Sequence, residues 1–132
     1  MTIHETNLND TILARLIAFS EDWAAEGSCY GYRANERSDI EGNRIFLAEE
    51  DGETIGYLFG KICKSERMGS IMPEGTPYFE VEELYVVPAK RSRGIGERLF
   101  RFAEEAVKDE AEYMIPQHRD EELEGDLSFL HR

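Results

Sequence analysis

The chain has 132 residues, of which 41% are hydrophobic and 11% aromatic, enough to build one small domain around one core. Its formal net charge of −13 argues against nucleic acid or an anionic membrane as the main partner, because no basic excess exists to neutralise phosphates. The acidity favours solubility, and the alternative is an acidic surface that attracts cationic amines.

The cysteines and histidines predict no metal site and no disulfide framework. Cys29 and Cys63 lie far apart, and the three histidines form no ligand cluster. No signal peptide and no long apolar run appears in the sequence. We therefore expect a cytoplasmic protein with reduced thiols, no bound metal and no membrane span.

The first part of the chain predicts a short strand at residues 2–5 and then a helix. Asn9 or Asp10 is a good helix N-cap, apolar residues recur at helical spacing through about Ala25, and Gly27 ends the helix.

Residues 28–42 are of mixed composition and predict a second, short helix or an ordered loop. Tyr30 and Tyr32 in this segment line a cleft or simply pack, and packing is the commoner role of such residues.

Three strands follow in a meander. Arg44–Glu50 is the first, Asp51-Gly52 is a strong hairpin signal, and the second runs from Thr54 to about Cys63. A loop rich in glycine and proline then leads to the third strand, Phe79–Val87.

The stretch after this third strand organises the chain. Pro88 ends the strand, Lys90–Gly96 forms a basic loop, and a helix continues from Glu97. The apolar stripe of this helix is predicted to be Ile95, Leu99, Phe102 and Ala106. A glycine-containing loop that opens a helix leaves backbone N–H groups unpaired at the positive end of the helix dipole, so the site suits a phosphate. Lys90, Arg91 and Arg93 supply enough positive charge for one polyphosphate.

Two other phosphate-binding motifs are excluded by the residues that follow Gly96. The dinucleotide fingerprint requires a third glycine where this chain has Leu99, and a Walker loop requires Lys-Ser/Thr where Glu97-Arg98 follow Gly96.

Val87-Pro88, followed by Arg91-x-x-Gly94-x-Gly96, resembles the pyrophosphate-binding motif of the GNAT superfamily of acyl-CoA N-acyltransferases. The resemblance covers residues 43–110 well, the front of the chain loosely and the tail hardly at all. It implies one α/β domain over residues 1–132, with a mixed, mainly antiparallel sheet flanked by helices. The function it implies is transfer of an acetyl group from acetyl-CoA to a primary amine by direct attack, and the acceptor is a small molecule or a peptide.

The same resemblance assigns the residues that hold CoA. The pyrophosphate lies against the loop and first helical turn, formed by Arg91, Ser92, Arg93, Gly94, Ile95, Gly96 and Glu97. The pantetheine arm pairs with the backbone of the strand at Leu84, Tyr85 and Val86, where one amide faces the thioester oxygen.

Members of the resembled family use a strand glutamate to accept the proton of the amine. Glu82 and Glu80 match positions used by some members and are our candidate catalytic residues. Strand alternation places them on one face and Glu83 on the other. The alternative is that these carboxylates only form a solvated strand face.

The C-terminal part is truncated or altered relative to the family. Glu112–Ile115 can begin the next strand, but residues 116–132 are charged and without pattern. Phe129-Leu130 stands where the family has a Phe-Tyr pair whose tyrosine protonates the thiolate, and leucine cannot donate a proton. We hypothesise a frame shift near Pro116, which the encoding DNA would test, and an unfinished sheet edge would favour a homodimer.

Two other functions therefore stay open at the level of sequence. One is a non-catalytic CoA-binding module or an inactive truncated relative, and the other is a purely structural domain.

Overall fold

The computed structural model describes residues 1–27, 31–66 and 73–116. Its elements follow the predicted order. They are β1 (Thr2–Thr6), α1 (Asp10–Glu26), α2 (Arg37–Ile40), β2 (Arg44–Glu50), β3 (Glu53–Lys64), β4 (Pro77–Val86), a 3-10 turn (Pro88–Lys90), α3 (Ile95–Val107) and β5 (Tyr113–Pro116).

The sheet has the strand order β1-β2-β3-β4-β5, in which only β4 and β5 are parallel. The hairpin between β2 and β3 turns at Asp51 and Gly52, whose φ angles of 54° and 80° are those of a tight primed turn. Helix α3 connects the two parallel strands, since such strands require a crossover. The predicted mixed and mainly antiparallel sheet with flanking helices is confirmed.

Helix α1 begins and ends as its sequence indicates. The side chain of Asn9 accepts a hydrogen bond from the Ile12 amide at 2.8 Å, and Gly27 ends the helix in the left-handed conformation.

Helices cover both faces of the sheet. One core packs α3 against residues that include Phe46, Leu58 and Val86, and the other packs α1 and α2 against residues that include Tyr57 and Tyr85. We call these the α3 face and the α1 face.

The predicted stripe of α3 is partly wrong. Phe102 is 38% exposed, whereas Phe100, Ala103 and Val107 are buried with Leu99. The buried arc follows steps of four residues from Ile95, and Phe102 falls at its margin, where its ring meets that of Phe46 edge-on.

A β-bulge at Glu82 changes which side chains share a face. The pairing with β3 jumps from Phe59 opposite Glu83 to Gly60 opposite Val81, so Glu82 is the extra residue. Val81 lies in the core of the α3 face, which directs its neighbour Glu82 to the α1 face.

The prediction that Glu83 faces away from Glu80 and Glu82 is therefore wrong. Glu83 bonds to Tyr57, a residue of the α1-face core. Alternation about Val81 puts Glu80 and Glu82 on the same face, so the bulge brings the three carboxylates to one side.

Candidate active site

The C-terminal half of β4 presents backbone groups on the edge away from β3. The amide of Val87 donates to the Ile55 carbonyl of β3 at 2.9 Å. Because backbone groups alternate along a strand, those of Val86 and Leu84 point to the other edge and those of Tyr85 point to β3. The described part of β5 pairs only with residues 78–81 of β4. Within the described residues, β5 therefore does not form strand pairing with the outer edge of β4 at Leu84 and Val86.

The loop after β4 ends in a helix N-terminus whose N-cap residue has no side chain that could cap it. Gly94 is the N-cap residue and offers no side-chain hydrogen bond, and the first amide bonded within the helix is that of Arg98, which donates to the Gly94 carbonyl at 3.0 Å. The amides of Ile95 and Gly96 precede that bond, as expected for a first helical turn. Ser92 and Gly94 adopt positive φ angles of 66° and 79°. Such a turn directs successive amides into one concavity that suits an anion.

The position that a side chain at Gly94 would occupy is not filled by other protein atoms. A methyl group added at its Cα would meet no protein atom within 4 Å. The absence of a Cβ at Gly94 leaves this space free, as a loop that approaches an anion closely requires.

Two of the three predicted basic residues are engaged with carboxylates. Lys90 lies 2.8 Å from Glu50 and holds the pKa of that carboxyl below its ordinary value. Arg91 forms two hydrogen bonds to Glu26, at 2.9 and 3.1 Å, and also donates to the Val86 carbonyl at 2.7 Å. Arg91 thus ties the loop to β4 and α1 as well as contributing charge.

The remaining basic residues near Gly94 lie on one side of the loop. Arg93, Arg98 and Arg101 line a groove of about 690 Å³ beside Gly94, together with Ile3, Glu97 and Phe102. Arg98 was missed in the sequence because it belongs to the helix and not to the motif. The signal that could have found it is its position one turn after Gly94, where helical periodicity returns a side chain to the loop side.

The candidate catalytic glutamates lie at and just before the bulge. Glu82 is paired with Lys61 at 3.5 Å, and this carboxylate is the main cause of the raised pKa of Lys61. An oxygen of Glu80 lies 3.5 Å from the Cys63 sulfur. Burial first, and then the contact with Glu80, raises the pKa of the Cys63 thiol. Both carboxylates therefore interact with groups of the neighbouring strand β3, on the α1 face of the sheet.

Glu83 is the carboxylate for which strand alternation predicted the wrong face of the sheet. It is 5% exposed, and its Oε1 accepts hydrogen bonds from the hydroxyl of Tyr57 at 2.6 Å and that of Tyr32 at 3.1 Å. Asn35 Nδ2 donates to both carboxylate oxygens at 3.0 Å. Burial raises the pKa of Glu83, and the three donors oppose that rise without cancelling it. The same environment raises the pKa of Tyr57 well above its ordinary value.

Some sequence predictions lie outside the described residues. They concern Cys29, Tyr30 and residues 117–132, including Phe129-Leu130. Tyr32 is described, and its ring stacks on Trp23 at a centroid distance of 4.7 Å. Tyr32 therefore both packs against Trp23 and donates a hydrogen bond to Glu83.

Within residues 1–27, 31–66 and 73–116, no three His, Cys, Asp or Glu side chains are grouped so that they could hold a metal ion. The helices of this part of the chain are too short or too polar to cross a membrane.

The sequence matches the model of one protein family, described as the acetyltransferase (GNAT) family, over residues 12–118. No curated protein matches the chain significantly.

Solved structures share the fold at low sequence identity. An acetyltransferase from Vibrio fischeri superposes with a TM-score of 0.64 at 20% identity, covering 96% of this chain and 98% of that one. An aminoglycoside N-acetyltransferase in complex with CoA gives 0.60 at 18% identity, covering 88% and 78%. A ribosomal-protein-alanine N-acetyltransferase from Brucella melitensis biovar Abortus 2308 gives 0.59 at 17% identity, covering 92% and 84%.

Proposed function

This chain belongs to the GNAT family of acetyltransferases, an acetyl-CoA-dependent N-acetyltransferase by lineage, and from that premise we propose that it moves the acetyl group of acetyl-CoA to a primary amine by direct attack. The observation that carries the proposal is the helix N-terminus at Gly94, an N-cap residue without a side chain, which follows a strand whose outer edge is presented at Leu84 and Val86.

The loop would hold the CoA pyrophosphate. Amides of Ser92, Arg93, Gly94, Ile95 and Gly96 supply the donors, and Glu97 occupies the first helical turn. A phosphate is favoured there by the helix dipole and by the lack of a side chain at Gly94. Arg91 keeps the turn in place through the Val86 carbonyl and Glu26.

The strand would align the reactive part of the cofactor. The pantetheine arm pairs with the strand from Leu84 to Val86, along the edge that faces away from β3. The Leu84 amide lies on this edge two positions after Glu82, so we assign it as the donor to the thioester oxygen. Acetyl-CoA supplies the activated thioester, and an oriented N–H stabilises the negative charge that develops on its oxygen.

We assign the proton acceptor to Glu82, with Glu80 as the alternative. The amine nitrogen attacks the thioester carbon, and the amine proton passes to the carboxylate directly or through water. The carbon–sulfur bond breaks, and CoA leaves as a thiolate that takes up a proton from solvent. Glu82 presents a carboxylate oxygen 3.5 Å from the ammonium group of Lys61. Glu82 also lies two positions from Leu84, at the bulge.

The acceptor is proposed as a small-molecule or peptide amine. The structural neighbours are named as acting on an aminoglycoside in one case and on a ribosomal-protein alanine in another. Carboxylates at Glu80 and Glu82 suit a positively charged amine on the α1 face.

A second candidate function is a CoA-binding module without catalysis. The observation that favours it is Leu130, which stands where the resembled motif has a proton-donating tyrosine.

Two measurements separate these functions. Calorimetry reports CoA binding, and thiol release from acetyl-CoA is followed with spermidine, kanamycin and a peptide that begins with alanine. Binding with amine-dependent thiol release supports the acetyltransferase, and binding without release with any of the amines supports the module. Absence of CoA binding would overturn both.

A further inference from the structure

The carboxylate of Glu83 joins parts of the chain that are distant in sequence. Tyr57 belongs to β3, whereas Tyr32 and Asn35 belong to the segment between α1 and α2. Glu83 is thus the point at which the segment 32–35 is bonded to the central strands.

The same segment is bonded to α1. The backbone amide of Asn35 donates to the Ser20 hydroxyl at 2.8 Å, and that hydroxyl donates to the Ile17 carbonyl at 2.7 Å. Tyr32 meanwhile stacks on Trp23. The segment is therefore held between α1 and Glu83. A displacement of the carboxylate is expected to displace the segment as well.

Glu83 is also the residue between the bulge and the open edge of β4. Glu82 precedes it and Leu84 follows it, so a shift of its backbone moves both the candidate base and the amide assigned to the thioester oxygen. The bulge leaves Glu82 outside the regular pairing with β3, and the bonds of Glu83 to Tyr57 and Asn35 fix the strand immediately after it.

Stability does not account for a carboxylate in this place. Within the described residues no cation lies at ion-pair distance from Glu83, and its donors are neutral. Burying a carboxylate among neutral donors is costly, and a well-packed apolar side chain would avoid that cost. An acceptor with two oxygens does, however, hold three donors at fixed positions at once.

We propose that Glu83 is a positioning residue of the acetyl-transfer site, which ties the segment 32–35 to β4 and thereby sets both the position of that segment and the alignment of Glu82 and Leu84. This inference rests on the proposed acetyl transfer for its catalytic consequence, but the physical link is independent of it.

The link is tested without substrate by hydrogen exchange on the full chain. In Glu83→Gln the carbonyl oxygen can take the place of Oε1, which accepts from both tyrosines, so the amide NH₂ replaces Oε2 and faces the NH₂ of Asn35, donor against donor. We expect peptides covering residues 31–36 and 82–87 to lose protection together. Tyr57→Phe is the matched control, because it removes the shortest bond to the same carboxylate but leaves the segment bonded. In that variant the peptide 31–36 keeps its protection.

The double variant Glu83→Gln/Asn35→Asp reverses donor and acceptor at similar size, and we expect it to restore the protection of both peptides. If Glu83→Gln is too unstable to purify, Asn35→Ala removes the bond from the other side and is expected to expose residues 31–36 and loosen residues 82–87. Independent behaviour of the two peptides, or no recovery in the double variant, would overturn the link.

The catalytic consequence is tested with acetyl-CoA and an amine that the wild type acetylates. Glu83→Gln is expected to lower kcat by about 100-fold, the scale of an ångström-sized misplacement, and to raise KM for the amine. Gly42→Ala, which destabilises the fold elsewhere, controls for stability alone and leaves KM unchanged. Unchanged kinetics in Glu83→Gln would overturn the positioning role. Loss of CoA binding by the wild type would instead refute the proposed function, and the exchange result would still decide the link.

Discussion

Replacing Gly94 with alanine tests the anion cradle with the least disturbance to the protein. The new methyl group would meet no protein atom within 4 Å, so packing does not oppose the change. It would, however, add bulk to the loop assigned to the CoA pyrophosphate, and the residue must adopt a φ of 79°.

The expected loss of stability follows from the backbone angle. A left-handed conformation costs a non-glycine residue about 1–2 kcal/mol. The lower entropy of the unfolded chain returns about 0.4–1 kcal/mol. The net destabilisation is therefore about 1 kcal/mol, which corresponds to a Tm lower by about 3–5 °C in a domain of this size.

The expected loss of CoA affinity is larger. A methyl group at Gly94 holds the phosphate away from the amides, and a hydrogen bond to a charged group contributes about 1.5–3 kcal/mol. Loss of one such bond weakens binding by about 10- to 100-fold.

Calorimetric titration with CoA and thermal unfolding measure the two effects on the same samples. Gly42→Ala is the matched control, because Gly42 has a φ of 84° and equally open surroundings but lies between α2 and β2. Both variants should lose similar stability, and only Gly94→Ala should lose affinity. The reasoning fails if Gly94→Ala binds CoA as tightly as the wild type, or if Gly42→Ala weakens binding as much.

Four further predictions concern other elements. Glu82→Gln should lower kcat at least about 100-fold while CoA affinity stays constant, as steady-state kinetics and calorimetry would show; a larger effect of Glu80→Gln would reassign the base. Gly60→Ala should destabilise the protein by about 1–3 kcal/mol in urea denaturation, since its methyl group would meet the Glu80 carbonyl and would lie 2.7 Å from the Phe79 ring; an unchanged urea midpoint would contradict the bulge geometry. Asn9→Ala should cost about 1 kcal/mol by loss of the helix cap, and Asn9→Ser, which keeps an acceptor, should cost less. Burial raises the pKa of Glu83, so the folded protein holds this proton more tightly than the unfolded chain does. The unfolding free energy of the wild type relative to Glu83→Gln should therefore fall as pH rises from the ordinary glutamate value of 4.5 through the raised value; denaturation curves at several pH values measure this difference, and a rise would refute the assignment.

Local signals in the sequence determined most of the architecture. Asn9 and Gly27 delimit α1, Asp51-Gly52 forms the predicted hairpin, and Pro88 ends β4 before the glycine loop. These features were predictable because each depends on residues that are neighbours in the chain, through backbone angles and hydrogen bonds within a few positions.

The loop motif could also be predicted from the sequence, but the ion-pair partners of its basic residues could not. Whether a cation near Gly94 is available to a phosphate depends on carboxylates from other elements. Lys90 is paired with Glu50 of β2, and Arg91 with Glu26 of α1. Sequence spacing carries no information about such partners, which lie 40 and 65 positions away.

The tertiary structure alone decided which glutamates share a face. Strand alternation predicts that Glu82 and Glu83 point apart, and it fails because one extra residue in β4 shifts the register against β3. A bulge is set by the packing of both strands, here with Gly60 opposite, where a side chain would meet the backbone of Glu80. The sequence thus determined a glycine-containing loop before a helix and a strand rich in carboxylates, while the fold placed Glu83 in a buried network and made Glu82 the extra residue of the bulge.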